Sequence, residues 1–282
     1  MFLLLAMLAR SVLPALAQGV LLTGRVQAQV DKAAIPFVNI GIRGKNTGTA
    51  ADANGEFSLR IPPNRANDTL TFSAIGYQEQ SVSIIQIIAN QQNRFMLVEK
   101  LTALHEVVVL GRAARVRRIG TTTHNPLLRG QVADHETHDI VEFGKLISVG
   151  KMPVELVRAH IFLRSPTVDT VTFRLNFYRV AQDLPGARLV EQPILVRTAV
   201  HNGWLAIDLT RYALTMQTDF FLGFEFLPDH KTAAPAANNK SVVPVLSYGG
   251  QFGGAAISRS SSLGTWKREP GASISAYVTV KQ

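Results

Sequence analysis

The chain has no cysteine among its 282 residues. That absence excludes disulfides, thiol nucleophiles, cysteine-ligated metals and lipid attachment through an N-terminal cysteine. Stability therefore rests on burial. Charged residues are scarce, at 17% against 46% hydrophobic, so wholesale disorder is excluded and a sizeable core is within reach. Negative charge is the scarcer sign, with 20 Asp and Glu against 29 Lys and Arg, a formal charge of +9. The basic residues are scattered singly, apart from Arg112, Arg115, Arg117 and Arg118. A basic stripe with interleaved aromatics is missing, so nucleic acid is not an expected partner. A basic surface suits an envelope rich in anionic polymers and lipids. Uninterrupted apolar runs of about 18 residues are also missing, and no transmembrane span is expected in the mature chain.

Catalytic signatures are absent as well. Neither His-x-x-Glu nor His-Glu-x-x-His occurs, and there is no Gly-x-Ser-x-Gly nucleophile elbow. Gly144 to Gly150-Lys151 resembles a phosphate loop only superficially. It has one residue too many between the glycines, and Met152 stands where Ser or Thr belongs. No catalytic residue and no cofactor are assigned, and the chain reads as a non-enzyme. One metal-like cluster exists, Asp134-His135-Glu136-Thr137-His138-Asp139. In a metal-dependent hydrolase His135 and His138 would both face the ion; the competing reading is an exposed charged loop.

At the N-terminus, Met1 to Ala9 is apolar, the run resumes at Val12-Leu13, and Ala15-Leu16-Ala17 closes it. An apolar core ended by small-x-small is the pattern of a signal peptide over residues 1–17, although Arg10 interrupts it and no basic residue precedes it. A first core strand or an uncleaved anchor is the alternative. Export to the periplasm, the outer membrane or the cell surface is the expectation.

Residues 18–111 alternate short strand patterns with turns. Val38, Ile40 and Ile42 share one face, as do Phe57, Leu59 and Ile61, and then Leu70, Phe72 and Ala74. Asp52-Ala53-Asn54-Gly55, Pro62-Pro63-Asn64 and Ile75-Gly76-Tyr77 separate them with residues that favour turns. Asp52-x-Asn54-Gly55 also looks like half of a calcium loop, but the downstream carboxylate is missing, and a hairpin turn is the better reading.

Gly24-Arg25-Val26, Ile35-Pro36-Phe37-Val38-Asn39-Ile40, Gly48 to Phe57 and Leu70 to Tyr77 together resemble the carboxypeptidase-regulatory-like domain. The resemblance implies a transthyretin-like seven-stranded β-sandwich without catalysis, used as an accessory module on secreted and outer-membrane proteins. Leu104 to Gly111 looks like the segment that follows this domain in TonB-dependent transporters. Too little chain remains for their large barrel. A structural subunit of such an outer-membrane complex stays open.

Residues 112–123 read as a linker. Over 124–282 strand patterns resume: Val157, Ala159, Ile161 and Leu163 on one face, then Val171, Phe173, Leu175 and Phe177, then Leu205, Ile207 and Leu209, then Phe220, Leu222, Phe224 and Phe226. Seven to nine strands without helices suggest a jelly-roll-like β-sandwich. The pattern resembles an uncharacterised β-rich domain that accompanies the regulatory-like domain in Bacteroidetes-type envelope proteins. The fold class is thus all-β, two sandwiches in tandem. On the opposite parity lie His160, Phe162, Arg174, Asn176, Tyr178, Trp204, Asp208, Phe221 and Glu225. Aromatic rings offer flat apolar faces and Arg, Asn and Asp bond hydroxyls, so Arg174, Asn176, Tyr178, Trp204 and Asp208 are the candidate ligand-binding residues for a glycan. The same set also fits the solvated face of an antiparallel sheet with loops over its rings. The expected partner is a glycan or an envelope protein.

Overall fold

The computed structural model describes residues 19–100, 115–132, 139–164, 170–228 and 246–282. Residues 1–17, read above as a signal peptide, Leu104 to Gly111, His135 and His138 lie outside the described residues.

The first domain is a seven-stranded sandwich. One sheet is three-stranded, in the order β4 (Glu56–Ile61), β1 (Val20–Ala28), β7 (Arg94–Leu97); the other is four-stranded, in the order β3 (Gly48–Ala50), β2 (Asn39–Gly41), β5 (Thr69–Ser73), β6 (Gln80–Ser83). The expected alternation holds in β4, where Phe57, Leu59 and Ile61 are buried and Glu56, Ser58 and Arg60 are exposed. Phe57, Phe72 and Phe95 meet between the layers, with Phe72 and Phe95 stacked at 4.3 Å. One short helix, α1 (Ile84–Ala89), closes the sandwich by burying Ile84 and Ile87, three apart on one face.

The turn at Asp52–Gly55 is a turn, but not a hairpin. Asp52 Oδ1 accepts from the Asn54 and Glu56 amides, and Gly55 takes φ +74°. It hands the chain from β3 in one sheet to β4 in the other.

The second domain is built from β8 (Val116–Gly120), β9 (Asn125–Val132), β10 (Val141–Ile147), β11 (Val154–Arg164), β12 (Thr170–Ala181), β13 (Leu184–Arg188), β14 (Ile194–Ala199), β15 (Gly203–Asp208), β16 (Thr215–Met216), β17 (Phe220–Phe226), β18 (Leu246–Arg259), β19 (Lys267–Ile274) and β20 (Ala276–Lys281). These form two layers. In one, β12 pairs with β13, β14 and β17, followed by β10 and the C-terminal part of β18. In the other, β11 pairs with β15, β16 and β20, and β20 with β8. The N-terminal part of β18 reaches β11 and β9, so this one strand crosses both layers and joins them into one 13-stranded sheet. Between the layers lie Phe173, Leu175, Phe177, Phe220, Leu222 and Phe224 from the first and Ala159, Ile161, Leu163, Val278 and Val280 from the second. Each fully buried side chain of this size contributes roughly 1.5–3 kcal/mol.

Three features depart from the sequence reading. Strands outnumber the seven to nine expected because short strands flank long ones on the same edge. Val157 is only half-buried, and Val154 and Leu156 take the core positions instead. A β-bulge shifts the β11 register between Leu156 and Arg158, leaving Val157 as the extra residue and inverting parity before it. Finally, Val116–Gly120, inside the segment read as a linker, pairs with β20 and packs Ile119 on the core. Its arginines masked the strand pattern.

Candidate functional site

The outer face of the β12–β17–β10 layer carries a row of four charges in register: Arg174, Glu225, Glu142 and Arg259 oppose one another across β12, β17, β10 and β18. All four are buried. Arg174 Nε donates to Glu225 Oε2 at 2.8 Å, and Arg259 Nη2 pairs with Glu142 Oε2 at 2.6 Å. Asn176 Nδ2 bridges the two carboxylates at 2.8 and 2.7 Å. Tyr178 donates its hydroxyl to Glu142 Oε1 at 2.8 Å. Gly223 makes room here, because a Cβ would collide with Glu142 Oε1, which Asn176 and Tyr178 hold in place. Burial works to raise the Glu225 pKa, but the charge and hydrogen bond of Arg174, with Arg259 and Arg188 beyond, outweigh it and hold the group well below the carboxylate range. Burial followed by the Glu142 charge raises the Tyr178 pKa, so the phenol stays a donor.

The first domain covers the Arg174–Glu225 end of this row, and Trp266 lies against Tyr178 and Arg259 at the other. Asn39 Nδ2 donates to Glu225 Oε1 at 2.7 Å, while Arg174 donates to Asn39 Oδ1 at 3.2 Å and to the Phe37 carbonyl at 3.1 Å. Phe37 is held at φ +54° and packs with Ala50, Ile140 and Leu227 across the junction. A bulky residue keeps that backbone only where its surroundings fix it. The turn after β18 seats in a notch made by two glycines: a Cβ at Gly41 or Gly48 would lie 2.5 or 2.8 Å from the Ser262 carbonyl oxygen. Asp139 holds that turn by accepting from the Ser262 amide at 2.9 Å, and burial raises its pKa.

The second layer turns the opposite way, and its outer face holds a different set. Trp204 lies opposite Phe162; His160 lies opposite Ala206 and Tyr277; Arg158 lies opposite Asp208 and Thr279, with Arg118 beyond Thr279. The upper part is aromatic. His124 stacks on Phe162 at 3.8 Å, Tyr277 stacks on His160 at 4.1 Å, and Trp204 stands edge-on to Phe162 and Tyr277 at 5.5 and 5.0 Å. Phe162 and Tyr277 are buried under this packing, whereas Trp204 and His124 remain half-exposed. Gly249 makes room for the Phe162 ring, which a Cβ would approach to 2.8 Å. The lower part is charged and exposed at Arg118, Arg158 and Asp208. Hydrogen bonds from Thr210, with Arg158 and Arg211 nearby, lower the Asp208 pKa. Burial, then the charges of Arg118 and Arg158, lower the His160 pKa to about 4, so the ring is neutral near pH 7 and bonds Thr279 Oγ1 at 3.0 Å.

The five candidate residues therefore split. Arg174, Asn176 and Tyr178 lie in the buried row, Arg174 directly against the first domain and Tyr178 against Trp266. Trp204 and Asp208 lie on the open face of the other layer, four residues apart on β15 and opposite Phe162 and Arg158. Sequence reasoning missed Glu142, Arg259 and Asn39 in the row, and His124, Arg118, Arg158 and Tyr277 on the face. It also missed Lys145, whose ammonium donates to Thr121 Oγ1 at 2.6 Å and Ser273 Oγ at 3.1 Å and has its pKa lowered by burial. An open groove of about 630 Å³ on the first domain is lined by Arg25, Asp52, Glu56, Asn93 and Arg94 among others. Arg25 and Glu56 already pair there at 2.6 Å.

With this geometry in place, residues 22–109 match the family model of the CarboxypepD_reg-like domain, which is the class that the N-terminal sandwich and its motifs define. No curated protein matches the chain. A solved structure titled "Structure of infectious bursal disease virus Gx strain" aligns with 93% of this chain and 65% of its own, at 6% identity and a TM-score of 0.25. The chain thus spans less than two thirds of that protein, and a likeness this low carries no argument. Among the described residues, no helix is long and apolar enough to cross a membrane.

Proposed function

We propose that this protein is an exported, non-catalytic module of the cell envelope that binds glycan through the outer face of its β15–β11–β20–β8 layer. One observation carries the reading. The two outer faces of the second sandwich differ: the first domain covers one through Asn39 and Phe37, and the other leaves Trp204 and His124 half-exposed above exposed Arg118, Arg158 and Asp208. An indole beside guanidinium and carboxylate groups matches the chemistry of a sugar, whose apolar ring face stacks and whose hydroxyls accept and donate hydrogen bonds. The carboxypeptidase-regulatory-like match supports an accessory rather than a catalytic role.

A glycan array probed with the full chain tests this, with Trp204→Ala as the comparison. Binding that drops at least about tenfold in the variant is expected. A wild-type chain that binds no glycan would sink the glycan reading. A second reading, a structural subunit of an outer-membrane complex, draws on β8, which ends the sheet path with only β20 as its partner among the described residues. Co-purification from native envelope separates the two.

A further inference from the structure

We propose that the ligand of this face is a polysaccharide bearing carboxylate groups, a uronic-acid type of polymer; this rests on the reading of the face as a glycan site. The charges left over on the face carry the argument. Of its two carboxylates, Asp208 accepts from the Thr210 amide and hydroxyl, and Glu155 faces Lys281 at 3.8 Å. Arg118 and Arg158 are exposed and form no ion pair among the described residues; Arg118 only leans over the Tyr277 ring at 5.7 Å. Asp208, across from Arg158, offsets part of that charge, whereas Arg118, on the other side of Thr279, has no carboxylate in register with it among the described residues, so the row keeps an excess of positive charge. Guanidinium selects carboxylate through its planar fork of donors.

The spacing sets the size of the ligand. Arg158 and Arg118 are two strand positions apart, about 10 Å, and Phe162 lies four residues from Arg158 along β11, about 13 Å. One sugar cannot span from the indole and imidazole row to both arginines. A chain of several sugars can, stacking rings at Trp204 and His124 and placing acid groups at Arg158 and Arg118.

The experiment measures retention of the full chain on polygalacturonate, on the same polymer with its carboxyls reduced, and on polyglutamate. Polygalacturonate is expected to bind at least about tenfold more tightly than the other two. In Arg118→Ala/Arg158→Ala the preference over the reduced polymer should vanish, while Trp204→Ala should weaken both sugar polymers alike. Equal binding of the native and reduced polymers, a preference that survives the double arginine variant, or equal binding of polyglutamate would overturn the acidic-ligand proposal while leaving a glycan site in place. Binding of no sugar polymer would overturn both.

Discussion

Replacing Arg174 with Met tests whether the buried row is what fixes the two domains together. The substitution keeps the apolar stem but removes three donor contacts: to Glu225 at 2.8 Å, to the Phe37 carbonyl at 3.1 Å and to Asn39 at 3.2 Å. Glu225 stays fully buried, with only the Asn39 and Asn176 amides left to bond it. Removing one partner of a buried pair costs about 3–5 kcal/mol, because the remaining charge cannot reach water. Arg174→Met/Glu225→Gln removes both charges. Asn39 can then turn its amide so that its oxygen, freed from Arg174, accepts from the new side chain. The double variant should be more stable than Arg174→Met alone by about 2 kcal/mol. Denaturation in urea, followed by fluorescence, reads the effect locally. One of the two tryptophans, Trp266, lies against the row, with the Arg259 guanidinium 4.9 Å from its ring centre and Tyr178 edge-on at 5.7 Å. A loss below about 1 kcal/mol in Arg174→Met, or strictly additive effects, would refute the view that a desolvated charge row seals the junction.

Other outcomes follow from the same packing. Gly41→Ala places a Cβ 2.5 Å from the Ser262 carbonyl oxygen and 3.1 Å from that of Thr47, both backbone, and should cost about 1–3 kcal/mol in thermal unfolding. Acid should act in two stages. The unfolded His160 ring takes up a proton near pH 6.5 and the folded ring only near pH 4, so stability falls as pH drops between those values, by at most about 3 kcal/mol and roughly half that once solvent screening is allowed for. An NMR titration of His160 with a midpoint near 6.5 would contradict this. Glu225 is depressed instead, so its contribution is complete above the ordinary carboxylate value of 4.5 and is lost as pH falls below it; Glu225→Gln should remove that second stage from a plot of urea midpoint against pH.

Much of the fold was legible in the sequence because burial repeats every second residue. Phe57-x-Leu59-x-Ile61 and Val171-x-Phe173-x-Leu175-x-Phe177 enter their cores as that period dictates. Val157 fails because a bulge adds one residue, and nothing in a run of Val, Leu and Val marks where the extra one falls. The site was legible only in halves. Parity correctly sent Arg174, Trp204 and their companions away from the core, but it carries no information on which layer a strand joins. Residues pointing outward from β12 and from β15 therefore face opposite sides of the molecule. A signal did exist for the covered side. All seven residues of Phe220–Phe226 are buried, and that run shows almost no polar alternation, the pattern of a strand packed on both faces. Glu225 within it is the exception that needs Arg174 and Asn39, and pairing across 51 and 186 residues cannot be read from local sequence.

The row of two arginines and two glutamates sums to no net charge and is shut away from ions, whereas Arg118 and Arg158 meet the solvent directly. Dissolved salt reaches only the second group. Rising ionic strength would therefore loosen whatever anionic material the outer arginines hold while the two domains stay clasped. Such a body could release its cargo in brine and take it up again, unaltered, on dilution.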